Sequence, residues 1–112
     1  MLVNKVNDLN IQIVRGDSFS FTFEIEDLSV ELTSAHFTVK ENENDETPIF
    51  QKALGSGIFK ITDSKYLVKV APNDTKNIDC KSYYYDLETT IGESVYTIIK
   101  GYFKIVEDIT TN

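Results

Sequence analysis

The stretch Ser18–Glu26, SFSFTFEIE, alternates polar and apolar residues without a break. Side chains along a strand point to opposite faces in turn, so Phe19, Phe21, Phe23 and Ile25 share one face. Ser18, Ser20, Thr22 and Glu24 take the other. This is the pattern of a strand with one face in a core and one in water. A weaker strand, Ile11–Val14, precedes it, and Arg15-Gly16-Asp17 joins the two. Glycine adopts positive φ without steric cost and aspartate bonds the backbone just beyond itself, so Gly16 and Asp17 predict a turn. The same three letters are the tripeptide that integrins recognise. Integrin ligation needs the tip of a long exposed loop, whereas here only the tripeptide itself separates Val14 from Ser18.

Working outward, the same period of two recurs. Further strands are expected at Ala35–Glu41, Ile49–Ala53, Gly57–Ile61, Tyr66–Ala71, Ser82–Thr90 and Ser94–Glu107. Pro48 cannot donate to a ladder and marks an edge. Ile91-Gly92-Glu93 reads as a hairpin connection, and Gly101 as a bulge or bend within the last strand. Turn residues fall about every ten positions, as in an all-β sandwich or barrel. The one helical candidate is a single turn within Asn73–Cys80, capped by Asn73 or Asp74 and carrying Ile78. Asn42–Glu46, polar and acidic, reads as a disordered loop. Tyr83, or failing that Tyr85, stands where a sandwich carries a tyrosine corner, the alternative being that both fill the core.

These signals predict a single domain over 1–112, with 1–9 and 110–112 as flexible ends. The expected fold is an Ig-like antiparallel β-sandwich of seven to eight strands. Its expected core is Phe19, Phe21, Phe23, Phe37, Val39, Leu67, Tyr85, Leu87, Ile99, Phe103 and Ile105. The length, 112 residues, suits one domain, and 41% hydrophobic content supplies a core. The net charge of −7, with lysines and arginines scattered among acids, argues against nucleic acid and anionic membrane as partners. Met1–Lys5 lacks an apolar signal-peptide region, so the expectation is folding in a cytosol. The single cysteine, Cys80, rules out an intrachain disulfide and a cysteine-based zinc site.

Reactive constellations are scarce. His36 is the only imidazole, and nothing around Cys80 looks like a nucleophile motif. Glu41, Glu43, Asp45 and Glu46 lack calcium-loop spacing and read as a solvated loop. No phosphate-binding or hydrolase motif is present. The expectation is a protein without enzymatic activity, cofactor or metal. Tyr66, Tyr84, Tyr96 and Tyr102 alternate away from the assigned core, which suggests an exposed interface for protein or glycan. The alternative to an interface is a set of cross-strand pairs on a wet face.

Two segments, IQIVRGDSFSFTFEIED and YYYDLETTIGESVYTIIKGYFKIVEDIT, together resemble small proteins encoded among the tail genes of bacteriophages and prophages. The layout is similar to the N-terminal β-sandwich of phage baseplate upper proteins, from about Ile11 to Thr110. The resemblance implies a virion structural module of tail or baseplate, present in host cytoplasm during assembly. It would bind other tail or baseplate proteins, as a homo-oligomer, and perform no chemistry. By the family pattern Gly16 and Asp17 form the turn, Asp86 follows the core Tyr85, and Gly101 bends the last strand. A carbohydrate-binding or adhesion module is the alternative that the tyrosines keep open.

Overall fold

The computed structural model describes residues 7–25 and 32–109. Nine strands follow one another among these residues: β1 (Asn7–Asp8), β2 (Ile11–Val14), β3 (Phe19–Glu24), β4 (Ser34–Lys40), β5 (Phe50–Leu54), β6 (Gly57–Lys60), β7 (Lys65–Val70), β8 (Ser82–Ile91) and β9 (Ser94–Val106). A single helical turn, α1 (Pro72–Thr75), separates β7 from β8.

Hydrogen bonding links the strands in the order β1-β9-β8-β4-β5-β6-β7-β3, with β2 also on β9. The path folds over at β5 and β6, which touch through only two residue pairs, Ala53–Gly57 and Leu54–Ile58. One layer is then β9-β8-β4-β5 with β1 and β2 on its rim, and the other is β6-β7-β3. The rings of Phe21 on β3 and Phe37 on β4, strands that share no ladder, meet edge to face with centroids 5.6 Å apart between the layers. In immunoglobulin terms β3, β7 and β6 take the places of strands B, E and D, and β4, β8 and β9 those of C, F and G. The chain is an Ig-like β-sandwich. Three pairings are parallel, β1 and β2 on β9 and β5 on β6, so the sheet is mixed where the sequence suggested only antiparallel strands.

The core is aromatic. Phe37 is fully buried and its ring lies within 5.4 Å of Tyr85 and 6.1 Å of Phe103, centroid to centroid. Antibody domains hold this region with a disulfide packed on tryptophan; here interlocking rings fill it. Phe23, Val39, Leu87 and Ile105 are buried as expected, while Phe19, Phe21 and Ile99 are half-buried against the cluster. The expectation for β7 was wrong by one residue. Tyr66, Val68 and Val70 face inward opposite Phe23, Phe21 and Phe19, and Leu67 lies opposite Thr22. Pairing with the phenylalanine face of β3 settles which parity of β7 is inside.

Two further expectations change. Asn7 and Asp8 pair with Ile99 and Lys100, so residues 7–8 are a strand and not a flexible end; residues 1–6 and 110–112 lie outside the described residues. The Asn42–Glu46 segment, expected to be disordered, closes as a turn in which Asn42 donates its N–H to the Asp45 carboxylate at 2.9 Å. In α1 Asp74 is the third residue of the turn, and its carboxylate accepts the Ala71 N–H at 2.7 Å. That carboxylate also pairs with Lys52 of β5 at 2.7 Å.

Candidate functional site

The Arg15-Gly16-Asp17 tripeptide is the turn between β2 and β3. Asp17 N–H donates to the Val14 carbonyl at 3.0 Å, and Gly16 has φ of 82°, near the value a type II turn needs at its third residue. Gly16 N–H also donates to Oγ1 of the fully buried Thr75 at 2.8 Å, which ties this turn to α1. The Arg15 guanidinium is paired with Asp108 at 3.3 Å. The expected turn role of Gly16 and Asp17 is what the structure contains.

Gly101 is different. It was expected as a bulge or bend, but Tyr85 pairs with it in regular register. The irregularity lies at Ile98, since Leu87 pairs with Ile99 while Glu88 already pairs with Thr97. What requires glycine at 101 is the chain crossing above it between β1 and β2. A Cβ there would stand 2.3 Å from the Leu9 carbonyl oxygen. The Tyr85 hydroxyl donates to that same carbonyl, and burial pushes this phenol up to about 12.

The four tyrosines divide into two pairs. Tyr66 is buried, stacked on Phe23 at 5.4 Å, so it is no interface residue. Tyr96, too, is no interface residue: it lies opposite the buried Thr89 and packs against the core, because the extra residue at Ile98 inverts the parity of β9. Tyr84 and Tyr102 do face outward. They are direct cross-strand partners on β8 and β9, with centroids 5.4 Å apart and planes at 44°. Tyr83 forms the corner, its hydroxyl donating to the Asp79 carbonyl at 2.6 Å. Burial raises the Tyr83 phenol, against the opposing pull of Lys81.

Tyr84 and Tyr102 line a groove of about 400 Å³ on the outer face of β4, β8 and β9. Its floor is two rows across three strands: Lys40–Tyr84–Tyr102, and Thr38–Asp86–Lys100. Asn10 closes one end, its side-chain oxygen accepting the Tyr102 N–H at 3.0 Å. Burial lifts the Asp86 carboxyl above its ordinary value and nearby Glu88 adds to this, while Lys40 and Lys100 pull it back. The alternation of Ser82–Thr90 already sets Asp86 on one face with Tyr84 and Glu88. What alternation cannot show is that Lys40 on β4 and Lys100 on β9 border that face.

The remaining candidates do not assemble. His36 sits on the outer side of β4 opposite Ala53 and Glu88, whereas Cys80 packs partly against the core. Glu41 is paired with Lys81, and Asp45 is occupied in its own turn. Among the described residues no three histidine, cysteine or acidic side chains converge as a metal site.

No protein-family model matches the chain, and no curated protein does. Among solved structures it is similar to part of a candidate glycoside hydrolase from Bacteroides vulgatus ATCC 8482. That match has TM-score 0.53 at 14% identity over 88% of this chain. The chain spans 16% of that protein's length. It is also similar to the extracellular domain of the voltage-gated sodium channel beta4 subunit, in a parallel homodimer structure concerned with cell-cell adhesion. There the TM-score is 0.42 at 12% identity, over 97% of this chain and 98% of that one. The first likeness speaks to the fold alone, and the second is too loose to weigh.

Proposed function

We propose that the chain is a non-enzymatic structural module of a phage or prophage tail or baseplate, acting through protein–protein contacts. The observation that carries the contact role is the outer face of the β6-β7 layer. Phe59 is 45% exposed and Ile61 52% exposed, and Phe59 is the direct cross-strand partner of the half-buried Leu67. Large apolar side chains grouped on a sheet surface mark interaction sites. The virion address rests on the sequence resemblance described above.

The test is direct. Particles released from the host that carries this gene are purified and analysed by mass spectrometry. The chain is expected in the particles at many copies, with genes for tape-measure or tail-fibre proteins beside its own. Its absence from particles, together with metabolic genes as neighbours, would overturn the reading. For the contact face, Phe59→Ser with Ile61→Ser should leave the fold intact and remove the chain from assembled particles.

A further inference from the structure

We propose that the groove between β4, β8 and β9 is a binding site for a neutral glycan, with a sugar ring set against Tyr84 and Tyr102 and its hydroxyls bonded to Asp86, Lys40, Lys100 and Asn10. The inference stands on the groove alone and is independent of the assembly in which the chain serves. A pyranose offers an apolar C–H face and a ring of hydroxyls that both donate and accept. A site for it therefore needs an aromatic surface together with mixed donors and acceptors at close range.

The groove supplies that mixture in register. Tyr84 and Tyr102 are adjacent across the ladder, with Tyr102 51% exposed. One step along the strands, Asp86 presents an acceptor directly between Thr38 and Lys100. Lys40, opposite Tyr84, places a second ammonium group at the groove. Asn10 is held in place by the Tyr102 N–H, so its position is fixed before any ligand arrives.

Charge narrows the ligand class. An anion would meet Asp86 and Glu43 in the lining, on a chain whose net charge is −7. A cation would meet Lys40 and Lys100 on either side of the only carboxylate on the floor. A neutral, polyhydroxylated ligand meets no like charge and can use both signs as hydrogen-bond partners. The half-buried Asp86 carboxyl has already lost part of its hydration on folding and still opens onto the groove as an acceptor for a sugar hydroxyl. The volume, about 400 Å³, falls within the range of ligand-sized clefts.

The 15N-labelled 112-residue chain is titrated with neutral gluco-, manno- and galacto-configured trisaccharides, each to about 20 mM. At least one is expected to move the amide signals of Tyr84, Asp86 and Tyr102. Tyr102→Ala should weaken that binding about tenfold, and Tyr102→Phe, which keeps the ring, should stay within about twofold. Tyr102 is exposed, so both variants should melt like the parent; Asp86→Asn gives a second variant on the polar row. No response to any of the three sugars would overturn the proposal, as would a response indifferent to Tyr102→Ala. Protection of the groove from hydrogen exchange by a tail protein, with sugars inert, would assign it to protein contact instead.

Discussion

Gly101 and Asp86 show how much one position can hold. At Gly101 the obstruction to any side chain is the Leu9 backbone, which cannot swing aside as a side-chain tip would. Gly101→Ala is expected to destabilise the domain by about 1–3 kcal/mol, measured as a lower urea midpoint at unchanged slope. Asp86 works in the opposite sense. Its folded-state carboxyl lies above the ordinary value, so ionising it weakens the folded state. The penalty is absent where both folded and unfolded chains are protonated and is complete above the folded-state value. Asp86→Asn should therefore raise the melting temperature at pH 7, with the difference closing as the pH falls towards about 3. Equal gains at both pH values would show that the carboxylate is not the cause.

Elements depend on bonds that join them as well as on their own ladders. The crossover from β7 to β8 is held at both ends, by Thr75 on the Gly16 N–H and by Tyr83 on the Asp79 carbonyl. Tyr83→Phe keeps the packing of the ring and removes only the corner bond. It should cost about 1 kcal/mol in urea denaturation, and near-UV circular dichroism should report a retained fold. Most strands could be located from alternation alone, since Phe19–Glu24, Ser34–Lys40 and Ser82–Ile91 each have one apolar face. Two could not be placed face-up or face-down so simply. In β7 both parities carry an apolar residue, although Lys65, Leu67 and Lys69 share the outer one. In β9 the extra residue at Ile98 inverts the parity midway, which moved Tyr96 inside while Tyr102 stayed out.

At the scale of the molecule, stability is concentrated in the rings around Phe37, which contact Phe21, Phe50, Tyr85 and Phe103 across both layers. Phe37→Ala should cost about 3–5 kcal/mol. Against the roughly 5–15 kcal/mol that holds a domain of this kind together, that is enough to leave a large unfolded fraction on mild heating, readable by calorimetry. The sequence by itself determined the class of fold, the turn at Gly16 and Asp17, and the outward setting of Tyr84, because these follow from local periodicity and turn chemistry. Only the tertiary structure decided that Tyr66 and Tyr96 are inside, that Gly101 answers to Leu9, and that Asp86, Lys40 and Lys100 share a groove with Tyr84 and Tyr102. Those facts depend on which strand lies beside which and in what register, and register is set by long-range packing of one apolar face against another.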